Sequence, residues 1–413
     1  MDGITTRTLD CGLVLLVERM GGVRSAAVSW MVPAGAARDP EDRQGLAAMW
    51  HELLLRGCGD LDSRAHADAL DRLGATRSCD VGMHYIRLGM TLLGERVVEA
   101  LPLLVDMVRR PRFEAESIEP VRDLSLQALA SLADEPQQRA SLAARARHYA
   151  APMGRSGMGT EAGLRAITRQ DVVDGWRSRA VPGGSVLAIA GAVDADAIAA
   201  RLDGLLRGWA GRAGEVARGP TPERGYAHEP DESNQVQILV MFDAPAESEA
   251  DARLERAVAA VLSGGMSGRL FTEVREKRAL CYAVSASYAT EKDGGTLVAY
   301  VGTTPERAQE SLDVLWAELG RIGTPAGAVT AAELQRAAVG MKSRLIFSGE
   351  STGARAGALA GDYVRLGRAR PLSELTAQID GLTVDGVNAY LARRRAGRAT
   401  IQTLGPSALR PPG

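Results

Sequence analysis

EDRQGLAAMWHELLLRGC, residues 41–58, reads as an apolar helix opened by acidic residues and closed by a glycine. Leu46, Met49, Trp50, Leu53 and Leu54 recur at helical spacing, so one face is expected to be buried. Gly57 suits the left-handed residue that ends such a helix. His51 and Glu52 interrupt the apolar run. Taken alone they fit an ordinary core helix as well as a site, so the remainder of the chain has to decide.

On the C-terminal side, RAHADALDRLG (64–74) reads as a second helix ended by Gly74, followed by strands at 76–81 and 84–93 and a long amphipathic helix over 94–110. On the N-terminal side, 13–19 and 25–32 read as strands. FEAESIEPVRDLSLQALASLADEP (113–136) is a further informative segment. A loop with a short helix (153–176), a buried strand at 185–193 and a helix at 194–209 close the first half. Residues 210–233 hold several Gly and Pro and no apolar period, which predicts a linker.

The second half repeats the order of the first: a strand at 235–245, a helix at 250–262, a glycine-marked turn with a helix, two strands, and a helix from Pro305. At a shift of 211, Glu95-Arg96 falls on Glu306-Arg307, Leu101 on Leu312 and Leu104 on Leu315. Helices at 330–346, 351–366, 371–381 and 383–393 and a strand near 399–404 follow. These readings predict an α+β protein of two tandem homologous α/β-sandwich domains, antiparallel-rich sheets packed by helices, over 1–209 and 234–413.

Composition narrows the function. The net charge of −2 over 413 residues leaves no footprint for nucleic acid or an anionic membrane, and 4% aromatics argues against a base-stacking surface. The four cysteines, Cys11, Cys58, Cys79 and Cys281, form no CxxC pair and suit buried positions in a reducing compartment. No signal pattern and no run of about 18 apolar residues is present, so a cytoplasmic protein is expected.

GGMSGRLFTEVREKRALCYAVSASY (264–288) is the most distinctive stretch. Gly264 and Gly265 allow a close approach and a positive φ, and Arg275 and Tyr282 stand seven residues apart. EVREKR alone would be a solvated charge run, and Tyr282 alone an ordinary strand aromatic.

Together with residues 41–58, this stretch resembles the pitrilysin/insulinase metallopeptidases, the inverted zincins. Their signature helix carries H-x-x-E-H, two zinc-binding histidines with a catalytic glutamate. The G-L-A and L-L-x-x-G frame aligns here without a gap, yet Ala48 stands at the first histidine, His51 at the glutamate and Glu52 at the second histidine. Counting back from Asp134-Glu135-Pro136, the third ligand, a glutamate, falls on Ala128. A methyl group supplies no lone pair to a metal. A thermolysin-type H-E-x-x-H also fails, because position 55 is Leu55, and His66, His84, His148 and His228 show no ligand spacing. The second-domain signature of the family is kept, with Gly268 for a serine and Ala279 for a glycine as departures.

The resemblance implies half of a pitrilysin-type clamshell, in which the zinc site of one chain meets the Arg/Tyr pair of the other. It implies that Arg275 and Tyr282 bind substrate and oxyanion in trans. It implies no cofactor in this chain and zinc in a homologous H-x-x-E-H partner. The expected assembly is a heterodimeric peptidase acting on a short unfolded peptide, with no nucleic acid and no membrane partner. One bacterial pair of this kind trims the precursor of pyrroloquinoline quinone, and related pairs remove leader peptides. A purely structural subunit, like the core proteins of the cytochrome bc complex, is the alternative.

Overall fold

The structure, a computed structural model, describes residues 3–412. Among the described residues there are eleven strands. The first six are β1 (Ile4–Thr8), β2 (Val14–Arg19), β3 (Ser25–Val32), β4 (Thr76–Val81), β5 (Ile86–Leu93) and β6 (Val186–Gly191). They form one sheet in the order β1-β2-β6-β3-β5-β4, antiparallel except where β2 runs beside β6. The rest are β7 (Gly225–Pro230), β8 (Val236–Ala244), β9 (Cys281–Thr290), β10 (Gly295–Thr303) and β11 (Thr400–Gly405). They form a second sheet, β7-β11-β8-β10-β9, antiparallel except for β7 beside β11. The order and direction of β7-β11-β8-β10-β9 repeat β2-β6-β3-β5-β4, so the internal repeat read from the sequence is a repeat of topology. Leu101 and Leu104, and their counterparts Leu312 and Leu315, are all buried in helices covering their respective sheets.

Each unit has a main core on one face of its sheet. In the first it gathers Trp30, Met49, Trp50, Leu53, Ile86, Leu104 and Trp176; in the second, Ile238, Val258, Leu270, Leu297, Leu312 and Leu391. β6, VLAIAG, is buried along its whole length because both faces of its sheet are covered. Helix starts are set by local chemistry. Asp62, Thr160, Asp194, Ser351 and Thr383 each accept a backbone N–H of the first turn, and Thr168 with Asp171 completes a reciprocal capping box.

The opposite face of each sheet is where the structure departs from contiguous domains at 1–209 and 234–413. One compact unit comprises the chain up to Ser131, Ala151–Gly219 and Ser348–Pro371; the other comprises Leu132–Ala150, Pro220–Phe347 and Leu372 onward. Helix Thr352–Leu366, from the second half, lays Ala356, Leu359 and Ala360 on Leu16, Ala27, Val186, Ala188 and Ala190 of the first sheet. Helix Pro136–His148, from the first half, lays Ala140 and Ala144 on Leu239, Met241, Tyr300 and Leu404 of the second. Small residues at the contact let helix and sheet approach closely. Ion pairs fix both: Arg355 with Glu18 at 2.7 Å in the first unit, and Arg139 with Glu229 and Asp231, each at 2.5 Å, in the second. The linker predicted over 210–233 is also shorter than expected, because 225–230 pair as β7. No helix among the described residues is long and apolar enough to cross a membrane.

Candidate functional site

The helix quoted first spans Leu46–Leu53. Glu41 and Asp42 lie outside it, in a separate turn over Glu41–Arg43, so they do not open it. Its first turn is instead served by Asp39, whose buried carboxylate accepts the Gly45 and Ala47 amides at 3.1 and 3.2 Å. Burial pushes the Asp39 carboxyl up, against the opposing pull of the Ala47 amide and Arg179. Arg179 pairs with Asp39 at 3.0 Å and lies over the Trp50 ring, 4.8 Å from its centroid. Trp50 in turn donates its indole N–H to the Val172 carbonyl at 3.1 Å. This ties the helix to its neighbours, and Gly57, with φ +121°, turns the chain away beyond it.

His51 and Glu52 lie on the open side of this helix, with side chains 41% and 39% exposed and His51 Nε2 3.5 Å from Glu52 Oε1. Ala48 is half-buried, and Ala128 is exposed on helix Ala115–Ala130. The positions that the resemblance implies for zinc ligands thus hold two methyl groups and one carboxylate, a donor set that does not fit zinc. Among the described residues no group of three or more His, Cys, Asp or Glu side chains is arranged to hold a metal. Cys79 on β4 is buried with its thiol pushed up to about 12, by burial first and then by Asp80 and Glu52. His66 and His148 are buried elsewhere, and burial lowers both, His148 to about 4.

In the second unit, Gly264 fits because a Cβ there would lie 2.3 Å from the Ala260 carbonyl oxygen, and Gly265 takes φ +150°. The expected helix is a π-helical turn over Phe271–Glu276, in which the Lys277 amide donates five residues back to the Thr272 carbonyl at 3.0 Å. Arg275 is exposed on this turn with its guanidinium over the Phe271 ring, 4.9 Å from the centroid. Burial pushes the Cys281 thiol up, against the opposing pull of the Arg275 charge. Tyr282, the second residue of the edge strand β9, is 50% exposed and donates its hydroxyl to Gln235 Oε1 at 2.5 Å.

Arg269 and Glu273 hold the element together. Buried Arg269 donates to both Glu333 carboxylate oxygens at 2.6 and 2.9 Å and to the Gly327 and Ala328 carbonyls at 2.6 and 3.0 Å. Glu273 pairs with Lys277 and Arg278. Sequence reading missed Asp39 and Gln235. Asp39 acts six residues ahead of the helix entry, and Gln235 meets Tyr282 only through the sheet.

Ala279 sits at φ +52°, in the left-handed region. A side chain there costs roughly 1–2 kcal/mol. Ala279→Gly removes that strain and adds about 0.5–1 kcal/mol of unfolded-state entropy. Chemical denaturation should therefore find Ala279→Gly unchanged or up to about 1 kcal/mol more stable, and Ala279→Val less stable than wild type. A clear loss for the glycine variant would contradict a left-handed residue here.

Two helix-covered sheets of one topology, the first carrying the helix with the zinc-peptidase frame and the second the exposed Arg275 turn and Tyr282 on β9, define a fold of the zinc-metallopeptidase type. The comparisons agree: Insulinase (Peptidase family M16) matches residues 14–161 and Peptidase M16 inactive domain matches 166–340, and the chain belongs to this metallopeptidase family. It is similar to an uncharacterized zinc protease of Mycobacterium leprae, 26% identical over 98% of this chain and 92% of the relative. Among solved structures it resembles the peptidase M16 inactive domain from Pseudomonas fluorescens, with TM-score 0.86, 21% identity and 99% of each chain covered. It also resembles a chain of Complex III2 from Candida albicans, with TM-score 0.82, 15% identity and coverage of 98% and 96%. These two likenesses show the shared fold.

Proposed function

We propose that this chain is the non-catalytic subunit of a heterodimeric zinc-dependent endopeptidase. Its partner is a homologous chain carrying H-x-x-E-H and zinc, and its substrate is a short unfolded peptide of the precursor or leader class. The observation that carries this reading is the unequal fate of two sites in one chain. The implied zinc-ligand positions hold Ala48, Glu52 and Ala128, while Arg275 on the π-helical turn and Tyr282 on β9 are exposed. A guanidinium fork and a phenol can donate to a peptide carbonyl and to an oxyanion, and neither needs a metal of its own. A scaffold subunit without a role in proteolysis is the second reading. The fold shared with a Complex III2 chain favours it, and the exposed Arg275/Tyr282 pair counts against it.

Co-expression with a homologous H-x-x-E-H chain tests the proposal. Light scattering should give a one-to-one complex of roughly twice the mass. Elemental analysis should give one zinc per complex and none held stoichiometrically by this chain alone. A monomer that ignores every such partner, or one tightly bound zinc per isolated chain, would sink it.

A further inference from the structure

Within β9, Tyr282 has no partner across β10. Ala283 pairs with Gly302 and Cys281 with Thr303, so Tyr282 is the extra residue of a β-bulge. A bulge re-aims the side chain it carries. Here the phenol reaches across β10 at Gly302. A Cβ on Gly302 would lie 3.1 Å from Tyr282 Oη and 2.5 Å from Tyr300 Oη, so bare backbone leaves room for both rings. Beyond it, Gln235 Oε1, just ahead of β8, accepts the Tyr282 hydroxyl at 2.5 Å. The same oxygen is approached by Gln237 Nε2 at 3.4 Å, and Gln237 Oε1 accepts the Tyr300 hydroxyl at 2.7 Å. Gln237 and Tyr300 are buried, so this chain of amides and phenols has a fixed base and an exposed end.

We infer that Gln235 is a positioning residue: it holds the Tyr282 phenol over Gly302 and releases the hydroxyl to a substrate carbonyl when peptide arrives. This rests on the reading of Tyr282 as a substrate-binding group. The exchange is balanced. The hydroxyl trades one carbonyl acceptor for another, and the vacated Gln235 oxygen keeps the Gln237 N–H, so no polar atom is stranded. A half-exposed tyrosine without this tether would sample several rotamers, and an unaligned donor contributes little to a reacting carbonyl. Gln235 touches no substrate in this account; it acts through Tyr282.

The test has two arms. In the full-length chain carrying 3-fluorotyrosine at position 282, the fluorine resonance should be single and sharp. Gln235→Leu and Gly302→Ala should each shift and broaden it, whereas Gln235→Glu, which keeps an acceptor oxygen at the same reach, should restore a sharp line. In the complex with an H-x-x-E-H partner, assayed on a mixture of internally quenched peptides, Gln235→Leu should lower kcat about tenfold with little change in KM. It should add nothing in a Tyr282→Phe background. A fluorine line untouched by Gln235→Leu, or losses that simply add to those of Tyr282→Phe, overturns the inference. If Tyr282→Phe leaves the rate unchanged while the line still moves in Gln235→Leu, the substrate role fails and the positioning stands.

Discussion

In a reconstituted pair, Arg275→Ala and Tyr282→Phe should each lower kcat by about 10²–10³-fold, the usual effect of removing one donor from a water-poor site. Arg275 offers a planar fork of donors whose charge is not lost at neutral pH, and its guanidinium already lies over the Phe271 ring. Tyr282 offers a single O–H. The partner's zinc content and the elution volume of the complex should stay as in wild type, because neither side chain anchors the second unit's core. Restoring Ala48→His alone should change nothing, since His51, Glu52 and Ala128 would still lack the donor set. Near-wild-type cleavage by both variants in an intact complex would make this chain a scaffold.

Arg269→Ala should cost the second unit about 1–3 kcal/mol, because it takes the guanidinium from the half-buried Glu333 carboxylate and from the Gly327 and Ala328 carbonyls, leaving Glu333 only its Thr330 donors. Arg269→Lys should recover little, since an ammonium cannot reproduce four bonds from one planar group. The pair also sets an acid limit. Arg269 holds the Glu333 carboxyl down at about 2, below the ordinary value of 4.5. A depressed folded-state pKa stabilises fully above the unfolded value and is lost as pH falls through the folded one. Wild type should therefore lose stability between about pH 4.5 and pH 2, and Glu333→Gln should start weaker and show a flatter slope across that window. Identical slopes in urea titrations at these pH values would contradict the assignment.

What the sequence disclosed follows from the range of each interaction. Helix 97–109 and its counterpart 308–321 carry their burial in their own spacing, and the strand pairs 76–81 with 86–93 and 281–290 with 295–303 are neighbours in the chain. The repeated topology followed from those local signals. Residues 225–230, GYAHEP, carry a glycine and a proline that mimic linker, and they become a strand only by pairing with 400–405 at the sheet's edge. Helix 136–148, PQQRASLAARARH, was not anticipated at all. Its buried stripe is mostly alanine, and its destination lies in the other half of the chain. At the site, Ala48, His51, Glu52, Ala128, Arg275 and Tyr282 could be named as candidates because they hang on fixed spacings. The π-helical turn, the Asp39 cap and the Gln235 tether were not, since each depends on how distant backbone is brought together.

The helix Thr352–Leu366 that covers the first sheet has a consequence during synthesis. The last strand of that sheet ends at Gly191, yet the helix that closes its second face leaves the ribosome only after Leu366 has been made. At about 5–20 residues per second, Leu16, Ala27, Val186, Ala188 and Ala190 face solvent or a chaperone for on the order of ten seconds or more. A nascent chain released early, near the middle of the gene, would carry that apolar wall uncovered, and so would any fragment made by cutting between the halves. Completion of translation is thus a folding step for the first half as much as for the second.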